Sequence, residues 1–213
     1  MIEPNIYCKC SGAVMHCISL LNSERVKHEP NSTLPHWGPQ SIGHLPSVIE
    51  IGCADGQGTM RYAGFCSYVI CIDPMVNDRP DIHSVEYKEM VPDAEKFANF
   101  MRRNQEFPVK LVQGCSMWPE TLQRVREILA GERVDILVVD GCHHPFEAVI
   151  GDFDLYYPFV KQGVFVIFDD LYEECILQAY ELARDRHSMT EVDRFYSPAH
   201  VLQDTAVLRK TEP

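Results

Sequence analysis

Residues 47–60 read Ser-Val-Ile-Glu-Ile-Gly-Cys-Ala-Asp-Gly-Gln-Gly-Thr-Met, and this stretch restricts the fold more tightly than any other. Val48, Ile49 and Ile51 form a β-branched run after Pro46, the pattern of a buried strand. The run breaks at Gly52, and Gly56 and Gly58 follow closely. Thr59 is then placed to cap a helix through Met60, Arg61 and Tyr62. A strand, a glycine-rich turn and a helix start let backbone N–H groups approach a ligand that side chains would otherwise exclude. An ordinary glycine-rich turn explains the same residues, and it takes a second strand to separate the two readings.

That strand is Tyr68-Val-Ile-Cys-Ile-Asp73, an apolar run ending in a carboxylate. An acid at the end of the second strand, about 20 residues after the first, is placed to accept hydrogen bonds from ribose hydroxyls. Glycine turn and strand-end acid together indicate an adenosine-containing cofactor, either a dinucleotide or S-adenosylmethionine. Dinucleotide sites use G-x-G-x-x-G, which seats a pyrophosphate on the helix N-terminus. Here the order is Glu50-x-Gly52-x-Ala54-x-Gly56-x-Gly58. It resembles the first motif of the class I S-adenosylmethionine-dependent methyltransferases, acid-x-Gly-x-Gly-x-Gly, with Ala54 in place of one glycine. The resemblance implies that Glu50, Gly52, Ala54, Gly56 and Gly58 hold the methionine moiety and that Asp73 holds the ribose. Without a phosphate to cradle, an acid such as Asp55 is tolerable in the loop.

The 213 residues suffice for one sizeable domain with a three-layer core. A formal charge of −12 argues against nucleic-acid and anionic-membrane partners, since nothing offsets phosphate repulsion. Arg102-Arg103 and Arg209-Lys210 are isolated doublets and no basic cluster reverses the charge locally, so a small-molecule substrate is expected. The nine cysteines, at 8, 10, 17, 53, 66, 71, 115, 142 and 175, lie partly within apolar runs. There a thiol behaves as a small hydrophobe, as in a reduced cytoplasmic protein rather than a disulfide framework. Cys8, Cys10, His16 and Cys17 offer zinc-ligating side chains, but at a spacing that fits no common site. Residues 12–21 are apolar but interrupted by His16 and Ser19, and read as neither signal peptide nor membrane span. A homo-oligomer is compatible with this composition.

Residues 1–46 read as an N-terminal helical cap on a cofactor-binding domain of residues 47–213. A helix is expected over 13–26 from the spacing of Val14, Ile18 and Leu21. Residues 28–46 are irregular, and the segment Leu34-Pro-His-Trp-Gly-Pro39 either covers the site or links helix to sheet. Residues 74–93, with Asn77, Asp78, Arg79 and Asp81, read as a loop beside the ribose acid. Further helices are expected over 93–103, with Ala94, Phe97, Ala98 and Met101 on one face, and over 119–130, with Leu122, Val125, Ile128 and Leu129 inward. Residues 146–157 and 173–186 supply two more. Strands are expected over 109–113, 134–140 and 164–168, the last entered through a turn at Lys161-Gln-Gly163. A terminal antiparallel hairpin follows over 190–195 and 205–210. The alternation implies an α/β doubly wound, mostly parallel, seven-stranded sheet with helices on both faces.

Asp140 ends the fourth strand and Asp169-Asp170 end the fifth, on the rim where open α/β sheets bind ligands. Grouped carboxylates raise one another's pKa unless a cation joins them. An all-oxygen set suits magnesium, calcium or manganese. The alternative is that Asp170 caps the next helix and Asp169 faces solvent. Val138-Val-Asp-Gly-Cys-His-His-Pro-Phe-Glu147 followed by Phe168-Asp-Asp-Leu171 resembles the metal-dependent O-methyltransferase branch of the class I family. The likeness is to the macrocin O-methyltransferase and cephalosporin-hydroxylase-like subgroup, over residues 48–170. It implies Asp140, Asp169 and Asp170 as ligands of a divalent cation, Asp140 and His143 as catalytic, and Asp140 and Ser116 near the cofactor. The pair His143-His144 is one residue longer than the usual pattern, which leaves the choice of base between them. A histidine after a strand also serves as a helix cap or surface residue. Trp118 either stacks near the adenine or fills the core. The function implied is methyl transfer to a hydroxyl of a small molecule. The rivals are a S-adenosylmethionine-binding scaffold without turnover, a nicotinamide-dependent oxidoreductase, and an aminopropyltransferase-like enzyme, whose gatekeeping acid is not found.

Overall fold

The computed structural model describes residues 9–28, 45–76, 92–141, 145–196 and 204–211. The strands are β1 (Ser47–Ile51), β2 (Tyr68–Asp73), β3 (Val109–Gln113), β4 (Val134–Val139), β5 (Val160–Phe168), β6 (Thr190–Tyr196) and β7 (Asp204–Arg209). The helices are α1 (Lys9–His28), α2 (Ala94–Asn104), α3 (Pro119–Leu129), α4 (Phe146–Tyr156) and α5 (Glu174–Arg186). All seven strands join one sheet in the order β3-β2-β1-β4-β5-β7-β6. Strands β1 to β5 pair in parallel, and β7 runs antiparallel between β5 and β6. This is the doubly wound sheet with a terminal antiparallel hairpin that the sequence implies.

Burial alternates along the strands, because successive side chains point to opposite faces of the sheet. Ile49, Ile51, Ile70, Ile72, Leu137 and Val139 pack beneath α3, α4 and α5. Val48, Val69, Cys71, Ile136, Val138, Phe165 and Ile167 face the other way, against Cys10, Ala13, Val14, Cys17 and Ile18 of α1. The first helix is thus built into the core with an apolar stripe wider than its three spaced aliphatics suggest. Asp135 breaks the apolar run of β4 yet is buried, since it accepts hydrogen bonds from the Ser47 N–H at 2.9 Å and from Lys161 Nζ at 2.7 Å.

Three expectations of local structure differ. The helix expected from Thr59 is two single 3₁₀ turns, Thr59–Arg61 and Ala63–Phe65, because Thr59 gives its hydroxyl to Glu50 instead of capping. On α2, Phe97 and Met101 are exposed while Phe100 and Asn104 are buried. That helix covers only the sheet's edge, and Asn104 turns inward to reach the carbonyls of Gly56 at 3.4 Å and Phe100 at 3.0 Å. The expected turn at Lys161-Gln-Gly163 lies inside β5 as a register shift, with Gly163 at φ +76°. Residues 34–39, 77–81, His143 and His144 lie outside the described residues.

If α1 is core, truncating it is costly. Ile18→Ala is expected to lower unfolding free energy by about 2–4 kcal/mol, the range for buried aliphatics. Exposed Ser23→Ala should stay within about 0.5 kcal/mol. Denaturant titration of both checks this, and equal effects would mean that α1 does not hold the sheet face.

Candidate functional site

The glycine turn and the strand-end acid meet directly. Asp73 is 4% exposed, and its Oδ2 accepts the Ala54 N–H at 2.9 Å while Oδ1 accepts the Met75 N–H at 2.6 Å. Lys96 Nζ of α2 lies 3.4 Å from the same carboxylate. Burial raises the Asp73 pKa, and the Lys96 charge and the two N–H groups oppose that rise. Described residues fill three of the roughly four acceptor positions of a carboxylate. Val76, Ala54, Asp55, Lys96 and Asn99 help line a groove of about 280 Å³ beside this point.

Glu50 lies beneath the loop on the α1 face, 4% exposed. Its carboxyl accepts from Thr59 Oγ1 and, at 3.4 Å, from Cys71 Sγ. Burial pushes its pKa up and nearby Asp73 adds to the shift, against the hydrogen bonds from Thr59 and Cys71. Glu50 therefore acts on the loop from inside. Gly52 adopts φ +84°, and a β-carbon there would stand 1.8 Å from the Asp140 carbonyl oxygen. Gly56 adopts φ +75°, and its β-carbon would meet Asn104 Nδ2 at 2.2 Å and Phe100 Cδ2 at 2.7 Å. Both glycines are needed where the backbone packs on protein, whereas Gly58 has ordinary helical angles. Ala54 is the exception in the opposite sense: it holds φ +48° with a side chain, a conformation costing about 1–2 kcal/mol.

On the rim, the ligand atoms of Asp140, Asp169 and Cys10 lie within 4.8 Å of one another. Asp169 is 8% exposed and accepts a hydrogen bond from Thr205 Oγ1, so it does not face solvent. Nor does Asp170 cap α5: that helix begins after Glu173, and Asp170 sits at φ +55°. The Asp140 carboxyl is pushed well above the ordinary range by burial, then by Asp169 and Asp170. The acids expected together are thus electrostatically coupled. On the β3 side, the Ser116 hydroxyl donates to Asp152 Oδ1, and Trp118 is the half-buried N-cap of α3.

Residues 49–171, more than half of the chain, match the family described as a methyltransferase domain. The chain belongs to that family. The O-methyltransferase NovP superposes with a TM-score of 0.58 at 17% identity, covering 95% of this chain and 79% of that one. The N-methyltransferase NodS from Bradyrhizobium japonicum WM9, solved with S-adenosyl-L-homocysteine, gives 0.55 at 16%, covering 80% of each. An rRNA methylase from Streptococcus thermophilus gives 0.55 at 9%, covering 82% and 92%. At such identities the likeness is one of fold. An uncharacterized protein of Acanthamoeba polyphaga mimivirus is 49% identical over 37 residues, 17% of this chain and 16% of that protein. No described helix is long and apolar enough to cross a membrane.

The structure brings three residues to these candidate positions that the sequence did not assign there: Cys10 beside Asp140 and Asp169, Lys96 beside Asp73, and Asp152 beside Ser116. Cys10 arrives from a helix that precedes the motif, Lys96 sits on a helix whose inward face is not marked by apolar spacing, and Asp152 is a lone acid within the apolar inward face of α4. Cys10 also leaves the zinc grouping, since His16 pairs with Asp193 at 3.1 Å and Cys8 is outside the described residues.

Gly56→Ala tests the turn: overpacking and positive φ together are expected to cost about 3 kcal/mol or more in denaturant unfolding, without any ligand present. A loss confined to ligand affinity would instead mean that Gly56 faces the ligand. For Glu50 the sign follows from its raised folded pKa. The folded state holds the proton more tightly, so stability is greatest below the ordinary value of 4.5 and falls as pH rises above it. Glu50→Gln should therefore be more stable than the parent at pH 8, with a shallower decline in Tm above pH 5; a steeper decline would refute the burial of a charge at that position.

Proposed function

We propose that the chain transfers the methyl group of S-adenosylmethionine to a hydroxyl of a small molecule, with help from a divalent cation. The observation that carries this is the hydrogen bond from the Ala54 N–H to Asp73, which joins glycine turn and strand-end acid into one cofactor cradle. In this reading Asp73 takes a ribose hydroxyl with its remaining acceptor position. Gly52, Ala54, Gly56 and Gly58 form the wall beside the methionine moiety, with Glu50 holding them through Thr59. Ser116 meets the base.

Asp140 and Asp169 would hold the cation, with Asp170 alongside. Their mutual repulsion in a buried setting supports a positive charge there. Carboxylate donors favour magnesium first, then calcium or manganese, while Cys10 adds a soft donor at the edge of the set. A cation so placed lowers the pKa of an acceptor hydroxyl. In the transfer, the acceptor oxygen attacks the methyl carbon in line, the bond from carbon to the sulfonium sulfur breaks, and the hydroxyl proton passes to His143. His143 is assigned from the sequence alone.

The fold does not choose the acceptor, since an rRNA methylase, an N-methyltransferase and an O-methyltransferase share it. The charge of −12 supports a small molecule, and Cys10 at the rim supports giving residues 1–46 a part in bounding its site. The reduced thiols support a cytoplasmic setting.

Calorimetric titration with S-adenosylhomocysteine and a labelled-methyl assay over catechol-like and sugar hydroxyls test this together. Asp73→Ala should weaken binding by about 2 kcal/mol, and also cost about 1–3 kcal/mol of stability because two N–H groups lose their acceptor. Excess EDTA should stop transfer while sparing cofactor binding. Unchanged affinity in folded Asp73→Ala would remove that residue from the cradle, and full turnover in EDTA would remove the cation.

A further inference from the structure

Asp152, on α4, is 1% exposed, and its carboxylate binds the loop after β3 and lies beside the loop after β4. Its Oδ1 accepts the hydroxyl of Ser116, and its Oδ2 lies 3.0 Å from where a β-carbon would stand on Gly141, next to Asp140. One turn further along α4, the Tyr156 hydroxyl donates to the Ser116 carbonyl at 2.9 Å. A single helix face therefore fixes Ser116 at two atoms, as side chains four residues apart can. The turn that carries Ser116 adjoins the ribose acid, for the Gly114 N–H donates to the Asp73 carbonyl at 3.1 Å. Ser116 is half-buried, so the residue keeps part of its surface accessible beside that turn.

The consequence is one of hydrogen-bond polarity. A hydroxyl has one proton and two lone pairs, whereas a carboxylate only accepts. The Ser116 proton is committed to Asp152, and what the hydroxyl offers the rim is lone pairs. A ligand group meeting it must be a donor. We propose that Asp152 is a positioning residue that makes Ser116 an obligatory acceptor, so that the cofactor site selects a 6-amino purine over a 6-oxo purine. This rests on the S-adenosylmethionine reading of the site. The exocyclic amine of adenine donates to Ser116, and the oxygen of hypoxanthine would face it lone pair to lone pair. Without Asp152 the hydroxyl turns freely and serves either base.

The test is calorimetric titration of the whole chain with S-adenosylhomocysteine and with S-inosylhomocysteine. The wild-type chain should prefer the adenosine form by about 10- to 100-fold, the range for one unpaired polar contact. Ser116→Ala and Asp152→Ala should both bring the ratio below about threefold. Tyr156→Phe, which loosens Ser116 without freeing its proton, should change both affinities alike and keep the ratio. A merely structural Asp152 would also lower both affinities in proportion, so the ratio isolates the hydrogen-bond polarity. If Asp152→Ala does not fold, Asp152→Leu, close in shape and without an acceptor, carries the same expectation. A wild-type ratio near one, or a wild-type ratio retained without Asp152, overturns the proposal while the cofactor reading stands. Failure of the wild-type chain to bind S-adenosylhomocysteine at all would overturn that reading, and this inference with it.

Discussion

The carboxylate of Asp73 is the interaction on which the rim depends. It ends the strand beside the glycine turn, and it binds that turn through Ala54, its own strand exit through Met75 two residues on, and the neighbouring helix through Lys96. Three separate segments of chain thereby converge on two oxygen atoms. Buried ion pairs of this sort contribute little net stability, because desolvation offsets most of their attraction. What they secure is geometry. The turn cannot drift from β2 without leaving backbone donors unpaired, which is far costlier than the pair itself is favourable.

Acid is concentrated around this tie. Glu50 lies below it, and Asp140 and Asp169 lie across the rim; burial raises the pKa of Glu50 and Asp140, and Asp73 adds to the first while Asp169 and Asp170 add to the second. Only Lys96 stands close to Asp73 as a counter-charge among the described side chains. A protein that keeps so many carboxylates in one dry region gives up stability to do so. The arrangement makes physical sense if ligands complete it: ribose hydroxyls, a sulfonium and a cation are each species that such a field attracts.

The sheet was legible in the sequence because its strands are short apolar runs stopped by Gly, Pro or Asp, and their order follows from alternation with helices. The strand ends were legible for the same reason, since Asp73, Asp140 and Asp169 each terminate such a run. Helix faces were less so. On α2 the apolar spacing marked Phe97 and Met101, but the buried side is set by Asn104, a polar residue whose partners are backbone carbonyls. The reason for the glycines was also hidden. Spacing alone suggests room for a ligand, whereas Gly52 and Gly56 are held to glycine by Asp140 and by Phe100 and Asn104. Cys10 was marked only for a zinc grouping with its chain neighbours and Asp152 not at all, because both reach the rim through tertiary packing, which no local pattern records. His143 and His144 were singled out by motif, and they lie outside the described residues.

The placement of α1 has a consequence for how such a chain comes to be folded. Its apolar stripe docks against β4, β5 and β7, strands that follow it only after the whole cofactor half of the sheet. During synthesis α1 emerges before all three of these strands, and β7 completes its seat last. Contacts of this sequence separation form slowly, and until they do a stripe of valine, isoleucine and cysteine stands in water. Until β7 is made, the stripe on α1 therefore has only part of its seat, the side chains of β1, β2, β4 and β5, and its remaining apolar surface is open to association with other chains.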